Sequence, residues 1–355
     1  MKIDFYISSL SGGGAEKVLI SIAQRLAAVG NEVSIVSLEK RPQFYKINDD
    51  VKVIKYVTEK TGIKGMLDDF KNVKSHLKKS NADVNVSFLL RCNLVVLLAS
   101  IFSKRKVIVS DRNNPLKEHS KFAFILQNLL YLRADKIVVQ TEQIKEYYYK
   151  FNQKRIQVIE NPIDNKALDA QIDVMPEREK TIISIGRLES QKDYKTLIDS
   201  FYKIHASFPE WKVHVYGHGD MRDELQKYVD DKGLSDRFLF CGRTDKPYLE
   251  LRKSSIFVLS SFYEGFPNVL CEAMYAGNLC ISSDCVSGPR ELINHSQNGW
   301  LFPVGDVNML AELLKQCIEK EESLTGVRSA AEETVKRLYL DNNIKKWEDV
   351  ILHIH

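Results

Sequence analysis

Short apolar runs alternate with amphipathic segments along the first half of the chain. Each run has the length of a buried strand, whereas the segments between them repeat apolar residues every three or four positions, as helices do. The predicted strands are residues 2–9, 31–38, 51–56, 82–89, 106–110, 135–141 and 155–159. The predicted helices are residues 15–29, 65–79, 92–102, 122–132 and 142–151.

The second half repeats this alternation after a polar stretch, residues 166–180, which contains Pro176 and is the best candidate for a linker. Its strand-like runs include 182–185 and 256–260, and a last helix is predicted over 343–353. A chain of 355 residues fits two domains better than one. Strands alternating with helices predict two α/β domains with mostly parallel sheets, 1–162 and 163–340, followed by a C-terminal helix within 341–355.

One stretch, residues 264–291, carries the most specific pattern in the chain. The apolar run before it predicts a strand, Pro267 suits the first turn of a helix, and Gly277 suits its end. The sequence therefore predicts a strand, a loop and the start of a helix in direct succession. The first-turn amides of that helix would have no partner within the helix and would form an anion site. They belong to Asn268, Val269 and Leu270.

Two carboxylates flank this predicted anion site. Glu264 lies in the loop before the helix and Glu272 lies one turn inside it. A carboxylate beside an anion site is costly unless it binds something else, such as sugar hydroxyls. The pair favours a ligand with phosphates in the middle and hydroxyl-rich groups on either side. The alternative is an ordinary amphipathic helix with two solvated glutamates.

Two other loops follow predicted strands and carry candidate ligand contacts. Gly12, Gly13 and Gly14 follow the first strand, where backbone without side chains can approach a ligand closely. Their spacing is not that of a dinucleotide fingerprint or a P-loop, and a loose turn is the alternative. Gly186-Arg187 and Lys192 follow the strand at 182–185. A fork-shaped donor and a point charge suit a pyrophosphate, although surface charges are the alternative for each residue taken alone.

Together these features resemble the retaining glycosyltransferases of the group-1, family 4 class, which have the GT-B fold. The resemblance rests on EGFPNVLCE, on GRL followed by QKD, and on the glycine loop. The segment ISSDCVSGPRE resembles a bacterial branch that uses UDP-sugars to build capsule, lipopolysaccharide or lipid-linked oligosaccharide. The resemblance implies two facing Rossmann-like lobes, with a hinge at Asn161-Pro162 and a final helix that returns to the first lobe.

The resemblance also implies roles for particular residues. Arg187 and Lys192 would hold the pyrophosphate of the donor, and Glu264 would orient the hydroxyls of its sugar. Glu272 would bind the ribose, and Arg243 would lie near the base. The first lobe, 1–162, would bind the acceptor, and the second, 163–340, would bind the nucleotide sugar.

One expected residue is missing from this pattern. Members of the class often carry a histidine after the strand that here ends at Ser110, and it contacts the donor sugar. This chain has none until His119. Asp111 or Arg112 is therefore expected to take that role.

The sequence offers no typical metal site or export signal. It has no D-x-D motif and no His/Cys cluster with ligand spacing, so we expect catalysis without a metal or another cofactor. No double-displacement nucleophile is evident, and the class is usually described by a front-face mechanism. The six cysteines form no C-x-x-C pair, and the first ten residues are too polar for a signal peptide. These features predict a cytoplasmic protein.

Charge is distributed unevenly between the two halves. Residues 1–162 hold 27 Lys and Arg against 16 Asp and Glu, a net of +11, whereas the rest holds 24 against 31, a net of −7. A basic half suggests an anionic partner, and no nucleic-acid motif is present. An anionic membrane surface with peripheral binding at its inner face, or a pyrophosphate-linked lipid, fits this charge. Simple accumulation of surface lysines is the alternative.

Other classes of function remain open at this point. A nucleotide-sugar epimerase shares the GT-B fold but needs no acceptor. A non-catalytic sugar-nucleotide-binding protein would bind the donor without turning it over. A nicotinamide dehydrogenase is disfavoured because the G-x-G-x-x-G fingerprint is absent.

Overall fold

The structure, a computed structural model, describes residues 1–39, 42–56, 62–112 and 121–354. The chain divides into two units, Met1–Pro162 together with Leu340–His355, and Ile163–Tyr339. Within the described residues, no helix combines the length and the apolar composition that crossing a membrane requires.

Each unit is built on one parallel sheet. The first has the strand order β3-β2-β1-β4-β5-β6-β7 and the second has the order β10-β9-β8-β11-β12-β13. The strands are β1 (Lys2–Ile7), β2 (Glu32–Ser37), β3 (Val51–Lys55), β4 (Val84–Phe88), β5 (Lys106–Ser110), β6 (Lys136–Val139), β7 (Ile156–Val158), β8 (Glu179–Ile185), β9 (Lys212–Tyr216), β10 (Phe238–Gly242), β11 (Ser254–Leu259), β12 (Leu279–Ser283) and β13 (Trp300–Phe302).

Helices connect these strands and cover both faces of each sheet. Burial on both faces explains why central strands such as β4 and β11 are buried along their whole length, whereas the outer strands β3 and β10 are only partly buried. The helices are α1 (Gly14–Ala28), α2 (Gly62–Lys79), α3 (Leu90–Ser100), α4 (Lys121–Leu130), α5 (Glu142–Tyr147), α6 (Lys150–Gln153), α7 (Asn165–Asp169), α8 (Tyr194–Ile204), α9 (Arg222–Asp231), α10 (Pro247–Lys253), α11 (Asn268–Tyr275), α12 (Pro289–Leu292), α13 (Val307–Glu319), α14 (Thr325–Val335) and α15 (Leu340–Leu352).

The first unit has a separate apolar core on each face of its sheet. Side chains of α1 and α15 fill one core, and side chains of α2 and α3 fill the other. Trp347 of α15 is fully buried and stacks on Phe88 of β4, with ring centroids 5.7 Å apart. The last helix of the chain therefore packs on the first unit. This confirms the predicted fold class, two Rossmann-like α/β units with a C-terminal helix that returns to the first.

The C-terminal end of α11 in the second unit is held by glycine and arginine residues. The amide of Gly277 donates to the Met274 carbonyl and that of Asn278 donates to the Ala273 carbonyl, which is a Schellman motif at the helix end that the glycine predicted. Three arginine side chains then bind carbonyls at or near this end. They are Arg178, Arg252 and Arg328.

The hydrogen bonds and the pKa of Arg178 show how the helix end is held. Its guanidinium donates to the Ser254 carbonyl and to the Ala276 carbonyl, each at 2.6 Å. Burial, followed by the charges of Arg328 and Arg252, lowers its pKa to about 10. The cation therefore ties the end of α11 to the start of β11 and opposes the negative end of the helix dipole.

We expect Arg178→Met to destabilise the second unit by about 2 kcal/mol, because two charge-assisted hydrogen bonds are lost, although the Ala276 carbonyl still accepts from Arg252 and the Ser254 carbonyl from Asn278. The measurement is denaturant unfolding followed by tryptophan fluorescence. Lys180→Met is the matched control, since Lys180 is exposed and pairs with Glu210 at 3.3 Å. Equal stability of the two variants would contradict this role for Arg178.

Candidate functional site

The sheet of the second unit has one topological switch point, between β8 and β11. The chain runs from β8 outwards to β9 and β10, then returns to β11 and runs outwards the other way to β12 and β13. Loops at the carboxyl ends of the two central strands diverge there and leave a crevice, which is where open α/β sheets bind ligands. The loop after β8 is residues 186–193 and the loop after β11 is residues 260–267.

A buried ion pair joins these two loops. Lys192 Nζ lies 2.6 Å from Glu264 Oε1, and the two side chains are only 15% and 8% exposed. Ser261 Oγ also donates to Glu264 Oε1 at 2.6 Å. Both hydrogen bonds use the same carboxylate oxygen, so, as far as the described residues extend, Oε2 can accept from a ligand hydroxyl.

The backbone of the first loop is shaped to bring Lys192 there. Asp193 adopts a left-handed conformation, with φ of 45°, and its side chain caps α8 by accepting from the Thr196 amide and hydroxyl. A Cβ on Gly186 would lie 3.3 Å from Lys192 Cε and 3.0 Å from the Tyr194 hydroxyl. Gly186 therefore leaves room where the lysine stem crosses the backbone, and its predicted contact with the donor stays a prediction.

The start of α11 differs from the sequence prediction in one respect. The Asn268 amide donates to the Phe266 carbonyl at 3.0 Å, and the Leu270 amide donates to the Pro267 carbonyl at 2.9 Å. Of the three amides that the sequence predicts to be unpaired, only that of Val269 lacks a hydrogen-bond partner in the described part of the chain. The turn at Pro267 uses the other two, so the anion site at this helix start is smaller than predicted.

The loop after β12 supports this helix start from the side. Ser287 Oγ donates to the Gly265 carbonyl at 2.7 Å. Gly288 has a φ of 105°, and a Cβ there would overlap the ring of Pro267. The SGPRE segment that resembles the UDP-using branch thus packs against the start of α11. Glu272 is half-buried within α11, and its predicted role with ribose stays a prediction.

Arg187 and Arg243 lie near one histidine that the sequence analysis did not single out. Arg243 Nε donates to His218 Nδ1 at 2.8 Å, and the Leu188 amide donates to the His218 carbonyl at 2.8 Å. Partial burial, followed by the charges of Arg243 and Arg187, lowers the pKa of His218. Arg187 itself is exposed and pairs with Glu189 at 2.9 Å. The carboxyl edge of this sheet is therefore rich in cationic donors.

His218 could have been singled out from the sequence, because it lies in a Gly-x-Gly turn directly after β9. A Cβ on Gly217 would overlap the carbonyl oxygen of Gly186, and one on Gly219 would overlap that of Leu188. The two glycines let this turn pack directly against the loop that carries Arg187. His218 is a candidate ligand contact because it lies at the carboxyl edge of the sheet, not because it is a histidine.

The glycine loop of the first unit uses its amides internally. Glu16 is buried, and its carboxylate accepts from the Gly12 amide, from the Gly13 amide at 3.0 Å and from Ser9 Oγ at 2.8 Å. The carboxylate caps the start of α1, where Gly14 is the first residue, by accepting from the amide of the N-cap residue Gly13, which is one half of the capping-box arrangement. This loop therefore does not offer the Gly13 amide to an anionic donor, which corrects the expectation for that group.

Asp111 is a structural residue, contrary to the expectation that it could contact a sugar. Its Oδ1 accepts from Asn93 Nδ2 and from the Tyr131 hydroxyl, both at 2.7 Å. Its Oδ2 accepts from Gln127 Nε2 at 3.1 Å and from the Tyr148 hydroxyl. Burial raises the pKa of both tyrosines well above the ordinary value. Four protein donors enclose the carboxylate, so none of it is offered to a ligand.

Arg112 is enclosed as well. Its guanidinium lies 4.7 Å from the Phe88 ring and 5.3 Å from the Trp347 ring, and burial lowers its pKa to about 9. Nη1 donates to Asn161 Oδ1 at 2.5 Å. This arrangement attaches α15 to the first unit, and a contact with the donor sugar stays a prediction. His119 lies outside the described residues.

Metal ligands are not grouped in the described part of the chain. No three His, Cys, Asp or Glu side chains there lie close enough together to hold an ion. The donor set at the switch point is an ammonium, a carboxylate and exposed guanidinium groups, which suits an anionic, hydroxyl-bearing ligand better than a cation.

Two family models match consecutive parts of the chain. The model for glycosyl transferases group 1 matches residues 165–334, which include the switch-point site. The model for glycosyltransferase family 4 matches residues 12–166, which include the glycine loop. Together they account for both units.

Curated relatives and solved structures agree with these models. An uncharacterized glycosyltransferase from Methanocaldococcus jannaschii is 31% identical over 76% of this chain and 77% of its own length. A GalNAc-α-(1→4)-GalNAc-α-(1→3)-diNAcBac-PP-undecaprenol α-1,4-N-acetyl-D-galactosaminyltransferase from Campylobacter jejuni is 29% identical over 100% and 99% of the two chains. The Anabaena protein HepE in complex with UDP-glucose has the same fold, with a TM-score of 0.82, 19% identity and 99% of each chain covered. The chain therefore belongs to the group 1, family 4 glycosyltransferases.

Proposed function

We propose that this glycosyltransferase moves a hexose or N-acetylhexosamine from a UDP-sugar to a glycan acceptor in the synthesis of capsule, lipopolysaccharide or lipid-linked oligosaccharide. The observation that carries the donor half of this proposal is the buried pair of Lys192 and Glu264 at the switch point. It puts a phosphate-binding cation and a hydroxyl-binding carboxylate side by side. A sugar diphosphate presents those two groups next to each other.

The choice of UDP rests on similarity. HepE, which shares the fold, is described as a complex with UDP-glucose. The SGPRE segment that packs under the start of α11 resembles the UDP-using branch. Arg243, at the end of β10, would lie on the base side of the nucleotide, and Glu272 would accept from its ribose hydroxyls.

The chemistry requires stabilisation of charge on the departing diphosphate. The bond between the anomeric carbon and the phosphate oxygen breaks, and the acceptor hydroxyl oxygen forms the new bond on the same face, which retains the configuration. The hydroxyl proton passes to the departing phosphate oxygen. Lys192, Arg187 and the Val269 amide supply the fixed positive groups, so no metal is needed. Glu264 Oε2 would accept from the sugar and hold it in position.

The acceptor is proposed from the relatives and from the charge of the first unit. The Campylobacter relative is named for a glycan linked through pyrophosphate to undecaprenol. Residues 1–162 carry a net charge of +11, which suits such an acidic, lipid-linked acceptor. The enzyme would then work in the cytoplasm, peripherally, at the inner face of an anionic membrane.

We expect Lys192→Ala to lower turnover about a hundredfold or more, because it removes a charge used on the leaving group. Removing the lysine also strands a buried carboxylate, so Lys192→Gln, which can still donate to Glu264, is the informative partner variant. Arg187→Ala should show a loss of similar size. Turnover is measured as UDP release with acceptor present.

Lys195→Ala is the matched control, since the Lys195 side chain on α8 is 45% exposed and pairs with Glu224 at 2.6 Å. Its turnover should equal that of the wild type. Near-normal turnover in both Lys192→Gln and Arg187→Ala, with unchanged thermal stability, would show that neither residue stabilises the leaving diphosphate.

UDP should raise the melting temperature more than GDP or ADP at equal concentration, with excess EDTA present throughout. A ligand that binds only the folded state stabilises that state by about 2.7 kcal/mol when the ligand concentration is a hundred times its dissociation constant. A shift that needs added Mn²⁺ would refute the metal-free site. A larger shift with GDP would refute the choice of nucleotide.

A further inference from the structure

Helix α4 in the first unit has its polar side buried and its apolar side exposed. Gln127 and Asn128 are only 3% and 0% exposed. Ile125, Leu126 and Leu129 on the other side are 42%, 57% and 52% exposed. A surface helix normally turns its apolar stripe to the core. The reversed orientation of α4 therefore requires a physical explanation and suggests a functional role for the exposed apolar side.

The cause is the hydrogen-bond network around Asp111. Gln127 donates to the Asp111 carboxylate, and Asn128 Oδ1 accepts from the Tyr149 amide at 3.2 Å and from Asn152 Nδ2 at 3.1 Å. Breaking buried polar pairs costs more than leaving leucines in water. The network therefore fixes the rotation of α4 and holds its apolar residues outward.

The exposed apolar surface continues onto the end of α3. Arg133 donates to the carbonyls of Ser100 at 3.0 Å, Ser103 at 2.8 Å and Arg105 at 2.9 Å, which fixes the segment after α4 beside the turn after α3. Phe102 in that turn is fully exposed. We call the combined surface the apolar outer face. Its residues are Leu98, Ile101, Phe102, Ile125, Leu126, Leu129 and Leu132.

Lysines border this face on the same layer of helices. Helix α2 packs beside α3, and α3 packs beside α4. The exposed polar residues of α2 include Lys71, Lys74 and Lys78, and Lys104 is exposed in the turn after α3. The carboxylates of these three helices are Asp68, which is half-buried, and Asp69, which is buried. Among the described residues of these three helices, the layer therefore presents exposed leucines and lysines without an exposed carboxylate.

We propose that the apolar outer face inserts into the interfacial region of an anionic bilayer, while the bordering lysines contact its headgroups. Apolar side chains bordered by cations are the composition of helices that lie in a membrane interface. A second copy of the chain would instead bring two lysine borders together. The proposal rests on the proposed function in one respect, namely that a lipid-linked acceptor requires the enzyme at a membrane.

The test is flotation of the full chain with vesicles of phosphatidylglycerol and phosphatidylcholine, at low and physiological salt. The variant carries Phe102→Ser, Leu126→Gln and Leu129→Gln, all on exposed side chains. Wild type should float with the anionic vesicles and keep part of its binding at the higher salt, because salt screens the lysines but not apolar contact. The variant should partition at least about tenfold less.

Val174→Gln is the control, since Val174 is an 81% exposed apolar residue of the second unit, and it should float like the wild type. Equal partitioning of the triple variant and the wild type would overturn the proposal, as would a wild type that stays in solution. A wild-type dimer that the triple variant turns into a monomer, with no flotation, would assign the face to a second copy.

Failure of the proposed function would look different. The triple variant should keep the full UDP-induced rise in melting temperature, because its substitutions lie outside the second unit. A wild type that floats with vesicles but is not stabilised by any nucleotide would refute the donor site and would still support membrane insertion of the apolar outer face.

Discussion

The pairing of Lys192 with Glu264 joins two loops that the sheet would otherwise send apart. Both side chains leave water almost completely, and a single carboxylate oxygen serves both the lysine and Ser261. A buried ion pair adds little net stability compared with well-packed apolar side chains. Under the proposed function its value is in binding, because both contacts use one carboxylate oxygen and the other can accept from a ligand hydroxyl.

The surrounding backbone is arranged so that this pairing can form. Gly186 leaves room for the lysine stem, and Gly217 lets the next turn pack on the same loop. On the other side, Gly288 fits against the Pro267 ring, and arginines hold the far end of α11. A side chain at any of these glycines would move one wall of the site, which explains their positions better than loop flexibility does.

Much of this could be predicted from the sequence, because local signals carried it. The strand, loop and helix around Pro267, the glycine end of α11 and the helical character of α15 follow from short-range patterns, whereas the return of α15 to the first unit was implied only by the family resemblance. Contacts between distant segments could not be predicted in the same way. Nothing local pairs Lys192 with Glu264, since strand order decides that β8 adjoins β11.

The same reason explains the residues whose roles changed. Asp111 looked available because it follows a strand, but Tyr131 and Tyr148, from later in the chain, enclose it. The amides of the glycine loop looked free, yet Glu16, an acidic residue in the first turn of α1, is placed to accept from the N-cap amide of Gly13. The enclosure of Asp111 by distant residues was invisible in the sequence, whereas this local cap could have been predicted from it.

The central claim is that the contact of Lys192 with Glu264 marks the donor site. The most direct measurement is a crystal structure of the protein with UDP. We expect the β-phosphate within hydrogen-bonding distance of Lys192 Nζ and of the Val269 amide, with Glu264 beside the position of the sugar. UDP bound elsewhere on the second unit, with no contact to Lys192, would contradict it.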